Sequence, residues 1–372
     1  MKVTLERGIL LKALSHVQSV VERRNTIQIL SNVKLEAFED KLKLSATDLD
    51  LEVVEIIPAR VDHAGITTAP ALMMHEIVRK LPEGCDVTLD LGGDDPRLRL
   101  LSGRSDFYLT VLPQEDFPVM APGELTHRFA LPGPDLKRLF DKARFAVSTE
   151  ETRYYLNGVY LHTIEADGFT MLRAVATDGH RLARLEMPAP NGADGMPGVI
   201  VPRKTVGEVV RLIGESEETV SVAVSSTKIV FTFDELTLTS KLIDGTFPDY
   251  ERVIPAGNDR IMAVEGRTFT QAVDRVSSIS LEKTRAVKLT IDDGMLKLVV
   301  SNPESGNAQE ELAVSYDAGP LEIGFNARYL LDITGQVDGE EAVFAMSDPG
   351  APTVIEDKAD PHALYVLMPM RV

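Results

Sequence analysis

The chain has 372 residues, 44% of them hydrophobic, enough for two or three packed domains. Lysine and arginine number 39 against 57 aspartates and glutamates, a net charge of −18 that excludes a uniformly basic surface but leaves room for one basic face. A single cysteine, Cys85, excludes an internal disulfide framework or multi-cysteine metal centre, and no apolar run approaches the ~18 residues of a membrane span. The charged opening stretch lacks a leader's cleavage site, so the expected setting is cytoplasmic with no membrane contact, and Cys85 is expected to be a small buried apolar residue.

In chain order the elements fall into three copies of one unit. Residues 6–21 open the first copy with an amphipathic helix in which Ile9, Leu10, Ala13, Leu14 and Val17 recur at helical spacing. Alternating strands follow over 32–55 around a turn at Glu39-Asp40, then a helix over 71–81 and strands over 97–112. The second copy keeps the order. A helix over 132–147 carries Leu136, Leu139, Phe140 and Ala143, and strands over 158–186 turn at Ala166-Asp167-Gly168. A helix over 202–213 then has Pro202 in its first turn, and strands over 228–243 close the copy. The third copy has a helix over 265–280 with Phe269, Ala272, Val273 and Val276, and strands over 286–314 turning at Asp292-Asp293-Gly294. A helix over 326–337 and strands over 352–370 complete it. Three α+β domains are expected, at 1–125, 126–257 and 258–372, with junctions in the turn-rich "PVMAPGEL" and "VIPAGND".

Such repeats leave sheet edges open, and successive copies can join edge to edge. Two chains meeting head to tail would close the remaining edges into a ring, with antiparallel sheets outside and helices lining the inside. The first helices carry Lys12, Lys137, Arg138, Lys142, Arg144, Arg267 and Arg275. The second carry Arg79, Lys80, Arg203, Lys204, Arg211 and Arg328. Either these cations form a solubility face, or, if the helices share one side, a basic inner wall on an acidic body suits a passing duplex.

The most chemical-looking segment is "ATDGHRL" (176–182). Asp178 and His180 could be an acid/base pair, half a metal site, or a turn between strands. No second histidine or carboxylate cluster stands at ligand spacing, and no G-x-x-x-x-G-K-[ST] loop occurs. A turn is therefore expected, with no catalytic residue, metal or cofactor. An acidic scaffold that binds no DNA is the remaining alternative.

Taken together, "RYYLNGV" (153–159), "VATDGHRLA" (175–183), "VIVPRK" (199–204), "SKLIDGTFPDYERVIP" (240–255), "IGFNARYLLD" (323–332) and "YVLMPMRV" (365–372) resemble the bacterial sliding clamps, the beta subunits of DNA polymerase III, along the whole chain. The resemblance implies three DNA-clamp domains per chain, a head-to-tail homodimeric ring on duplex DNA, and a non-catalytic processivity factor. Its implied partners are the DNA polymerase III alpha subunit, the clamp loader delta subunit, and other proteins with a clamp-binding motif, such as repair and translesion polymerases.

Carried over residue by residue, the resemblance implies a partner-peptide pocket of Leu156, Thr177, Gly179, His180, Arg181, Leu182, Pro248, Arg252, Val253, Val366, Met368, Pro369, Met370, Arg371 and Val372. Leucine, valine, proline and methionine would form an adaptable apolar floor, and the arginines and His180 would hold a peptide's polar groups at the rim. Duplex phosphates would meet Arg24, Arg79, Lys80, Lys137, Arg138, Arg203 and Lys204, without base reading. At the dimer interface Phe107 and Leu109 of one protomer would meet Ile279 of the other, with Arg104 facing the acids around Glu304. The chain departs from the family at Gly350 and Val372, which leave the pocket smaller on one side. It also departs at Glu150, where a glutamine can contact DNA, and at Asp106, which replaces a basic residue.

Overall fold

The computed structural model describes residues 1–22, 26–92, 97–121, 123–166, 168–214, 217–279, 286–303 and 305–371, and the structural statements below concern these. Among them are six α-helices: α1 (Arg7–Val17), α2 (Ala71–Lys80), α3 (Gly133–Arg144), α4 (Arg203–Ile213), α5 (Gly266–Ser277) and α6 (Ala327–Thr334). The spacing of apolar residues sets which face each one buries. Leu10, Ala13, Leu14 and Val17 are buried on α1, as are Leu136, Leu139, Phe140 and Ala143 on α3 and Phe269, Ala272, Val273 and Val276 on α5. Ile9, expected in the first stripe, sits at its edge and is 39% exposed. Glu6 and Glu265 precede α1 and α5 and cap them, their carboxylates accepting from the backbone N–H groups of Ile9 and of Arg267 and Thr268. The backbone N–H groups of Gly8 and Ile9 hold the Glu6 carboxyl below the usual carboxylate range. Pro202 ends the strand Val199–Pro202 just ahead of α4, rather than lying in the helix's first turn as the sequence suggested. Pro70 stands in the same place before α2.

Four antiparallel sheets account for the strands. Each of the three expected hairpins is present, turning at Glu39-Asp40, between Ala166 and Phe169, and at Asp293-Gly294. The chain divides into two units, one of Met1–Lys137, Pro190–Met196 and Gly207–Leu242, the other of Arg138–Ala189, Pro197–Val206 and Ile243–Val372. Each holds one eight-stranded sheet and one smaller sheet. In the first unit, strand Leu236–Lys241 pairs with Leu51–Pro58, so closing strands of the second repeat and opening strands of the first share one sheet. In the second unit, Arg181–Pro188 pairs with Asp360–Leu367 and joins the second and third repeats in the same way. These edge-to-edge joins explain why the middle repeat is divided between the units. The smaller sheets end in strands Ser105–Leu109 and Gly306–Ala313, each hydrogen-bonded on one side only among the described residues.

At both joins the chain builds one turn twice. In the first repeat, Leu49 N donates to Thr47 Oγ1 at 3.0 Å, while Asp50 N and Leu51 N donate to Asp48 Oδ1 at 3.0 and 2.7 Å. In the second, Gly179 N donates to Thr177 Oγ1 at 3.1 Å, while His180 N and Arg181 N donate to Asp178 Oδ1 at 2.9 and 3.1 Å. The incoming strand is then held alike, by Lys241 N to Asp50 O at 2.8 Å and by Met368 N to His180 O at 2.9 Å. Both turns need a left-handed residue, supplied by Gly179 at φ 88° and Leu49 at φ 81°. Leucine is strained there, and a Cβ on Gly179 would lie 2.7 Å from the Arg153 guanidinium.

Opposite responses to substitution follow at the two turns. Leu49→Gly should raise stability by about 0.5–1 kcal/mol, strain relief outweighing glycine's greater unfolded-chain entropy. Gly179→Ala should lower it by about 1–2 kcal/mol. Urea unfolding midpoints measure both, and changes of the same sign would contradict this account.

Candidate functional site

The 176–182 segment is a strand-to-strand turn, and its aspartate is fully engaged in making it. Asp178 Oδ1 accepts the two backbone N–H groups, and Oδ2 takes Arg181 Nε at 3.1 Å. The His180 ring instead stacks on Tyr329, with centroids 6.1 Å apart. Asp178 and His180 thus share no side-chain bond for acid/base work, and no group of three or more metal-ligating side chains occurs among the described residues.

Arg181 corrects the sequence reading. It was expected at a peptide-facing rim, yet it is 8% exposed and each of its three guanidinium nitrogens already donates a hydrogen bond. The guanidinium lies 4.3 Å from the Tyr329 ring centroid and 5.0 Å from that of Phe145. It pairs with Asp178 and Asp332 and donates to Phe145 O at 2.7 Å. A guanidinium so enclosed is a strut that ties the turn to α6, since leaving its acids unpaired would be costly.

Beside the turn, Leu156, Leu182 and Val366 are buried in one apolar cluster with Val175, Phe247, Tyr250 and Val354. They form a floor. Flanking that cluster along the chain, Pro248 is exposed, Val253 is 49% exposed and Met368 is 40% exposed. Arg252 reaches into solvent and pairs with Asp249 at 2.6 Å. The tail is fixed at two main-chain points, Met368 N to His180 O and Met370 N to Gly324 O at 2.8 Å. Pro369, Met370 and Arg371 line a recess of about 650 Å³ with Ile323 and Gly350, whose missing side chain leaves that wall open. Val372 lies outside the described residues.

The charged and edge residues sort differently from expectation. Arg79 and Lys80 are exposed on α2, both paired with Glu76 at 2.9 Å. Arg203 is exposed at the start of α4, with Lys204 beside it half-buried. Lys137, expected to meet phosphate, instead donates to Gly214 O at 2.8 Å. Arg138 is likewise committed, to the Asp360 carboxylate and Glu186 O. Arg24 and Glu304 lie outside the described residues. Leu109, expected at a subunit interface, is only 3% exposed and packs into its own sheet, because 107 and 109 share the inward face of an edge strand. Phe107 and Ile279 remain half-buried, and Arg104 is exposed in the turn before that strand. Asp106 pairs with Arg99 at 2.8 Å, and Glu150 with Arg153 at 2.8 Å. Cys85, expected to be a buried apolar residue, is half-exposed and its Sγ accepts from Ser102 Oγ at 3.1 Å.

Three domain families of the DNA polymerase III beta subunit match the chain: the N-terminal domain over 1–121, the central domain over 130–249 and the C-terminal domain over 251–371. The chain belongs to the DNA polymerase III beta subunit family. It is 58% identical to the beta sliding clamp of Caulobacter vibrioides over 372 residues, all of both chains, and 38% identical to that of Escherichia coli K12, again over the whole of each. Its structure is similar to the Caulobacter crescentus beta sliding clamp (TM-score 0.98, 58% identity, 100% and 99% of the two chains). It is also similar to a sliding clamp of Bartonella birtlesii bound to griselimycin (TM-score 0.97, 52% identity, all of both chains). The chain is thus a three-domain DNA sliding clamp subunit, a processivity factor and not an enzyme, and the acidic-scaffold alternative falls away.

One feature beneath the clamp's apolar floor escaped the sequence reading. His162 and Arg173 are cross-strand neighbours, and both reach the Tyr250 hydroxyl, at 3.1 and 2.8 Å. Arg173 also binds Glu186 and Glu251, at 2.9 and 2.8 Å. The only signal was a polar residue at an inward position of each strand. Burial pushes the His162 imidazole down from 6.5 to about 4, with Arg173 adding to the effect.

Two outcomes follow. His162 is neutral when folded, so it adds nothing above the unfolded chain's pKa. As pH falls below about 6.5 the unfolded chain takes up the proton first, and stability should drop by about 2 kcal/mol at a pH of about 5. Urea midpoints at about pH 7.5 and 5 should differ less in His162→Gln than in the parent. Arg181→Met should lower stability by about 3 kcal/mol, read by thermal melting, because Asp178 and Asp332 lose their partner.

Proposed function

We propose that this clamp subunit forms a head-to-tail homodimeric ring around duplex DNA in the cytoplasm. It captures partner proteins through a short peptide laid on the floor of Leu156, Leu182 and Val366. The single observation that carries the peptide reading is that floor, flanked by exposed Pro248, Val253 and Met368 and by a tail held through main-chain bonds. A buried apolar floor with partly exposed apolar edges suits an extended peptide with apolar anchors. Thr177 and Gly179 shape the wall, His180, Arg252 and Arg371 offer polar contacts, Pro369 and Met370 continue the groove, and Val372 is a further partner contact. Arg181 acts from beneath. The partners are the DNA polymerase III alpha subunit, the clamp loader delta subunit, and repair and translesion polymerases carrying a docking motif.

Phosphates are met by Arg24, Arg79, Lys80 and Lys204, which are point contacts without base readout and compatible with sliding, while Arg203 lies on the recess beside the docking turn. The dimer forms where strands Ser105–Leu109 and Gly306–Ala313 of different protomers meet, with Phe107 against Ile279 and Arg104 near Glu304. An edge strand with one open side favours such pairing. The domains run 1–125, 126–257 and 258–372.

Deleting Met370–Val372 tests the pocket. Affinity for the docking segment of the alpha subunit, read by fluorescence anisotropy, should fall at least about tenfold while sedimentation still reports a dimer. Unchanged affinity would put the site elsewhere. For the ring, the loaded protein should stay on nicked circular DNA and leave after linearisation, and equal loss from both would refute encirclement.

A further inference from the structure

Next to the docking turn lies a polar recess of about 440 Å³. Its walls are the segment 144–150, the turn residues Asp178, His180 and Arg181, and the first residues of α4 and α6. Four arginines line it. Arg144 is neutralised by Asp141 at 2.7 Å, and Arg181 by Asp178 and Asp332. The wall's own carboxylates are equally occupied, Asp178 by Arg181 and Glu150 by Arg153. Arg203 and Arg328 remain, both exposed and neither with an acidic partner among the described residues. Each stands in the first turn of its helix, at the positive end of the helix dipole, and neither helix places an acid there. Two uncompensated guanidiniums on one recess repel each other, and an anion reachable by both relieves that repulsion.

We propose that the recess binds a carboxylate of the partner chain, from an acidic residue flanking the apolar docking peptide. The proposal rests on the peptide-pocket reading above. His180 connects the two places: its carbonyl holds Met368 of the groove, and its ring stacks on Tyr329 of the recess wall. A peptide in the groove therefore runs past the turn that forms one wall of the recess. Duplex phosphate fits less well. A duplex carries about one charge per 1.7 Å of axis, so its rows of phosphate would also meet the exposed Glu150 carboxylate, whereas a single carboxylate can lie on the arginine side of the recess.

Anisotropy with three versions of the alpha-subunit docking segment tests this: unextended, extended at either end by three glutamates, or extended by three serines. On the full-length clamp, the glutamate extension at one end should bind about fivefold tighter than serine at low salt, and the advantage should vanish at about 0.5 M salt. Arg328→Gln should abolish the advantage and leave the unextended peptide unchanged. Arg328→Glu should reverse it, so that a lysine extension binds tighter than glutamate. Equal binding of the glutamate and serine versions overturns the proposal, as does an advantage that survives in Arg328→Gln. If there is no glutamate advantage and Arg328→Gln instead weakens retention on nicked circular DNA, the recess serves phosphate and the proposal is wrong. If the unextended peptide does not bind the parent protein, the pocket reading itself falls, and this one with it.

Discussion

The main-chain ladder that joins strands from different repeats is the constraint on which the rest depends. A strand edge must be paired, covered or blunted. Here the edge of each opening hairpin is met by closing strands more than a hundred residues away, Leu236–Lys241 against Leu51–Pro58 and Asp360–Leu367 against Arg181–Pro188. Each ladder must end somewhere, and at one end the chain needs a turn that releases a strand and receives the next. The Thr-Asp turn does both, with a hydroxyl and a carboxylate closing three backbone N–H groups and a free carbonyl accepting the incoming strand. The proposed docking groove lies at such an end. It is a by-product of joining two repeats, extended by a tail that adds its own two bonds.

Much of this was legible. Helical spacing marked the buried stripes of α1, α3 and α5, because three buried residues in every two turns leave a strong periodic trace. The hairpins were legible because left-handed turns need few residue types, and Gly294 and Gly168 supply them. Strands such as His127–Pro132 and Arg260–Glu265 went unseen. Each is short and pairs only with a strand far along the chain, so nothing local marks it.

The site was legible as a set of positions, less so as a set of duties. Composition makes an arginine beside a histidine look like a rim, but burial decides its work. Arg181 lies between two rings and two acids, and Arg138 and Lys137 are held by a carboxylate and by carbonyls. Whether a cation is free for a ligand depends on which distant acid the fold brings to it, as with Asp360 for Arg138 across 222 residues of sequence. The same holds in reverse for Arg203 and Arg328, which have none among the described residues.

The duplicated turn separates two tasks that are usually entangled. Thr177, Asp178 and the left-handed residue after them maintain the backbone, while residue 180 contributes only its main-chain N–H and carbonyl to the turn and its ring lies on Tyr329. The first repeat holds Asp50 in that slot with the same bonds intact. Position 180 is therefore an interchangeable socket. If the proposed groove takes a peptide, exchanging that one side chain can retune its preference without renegotiating the fold that presents it.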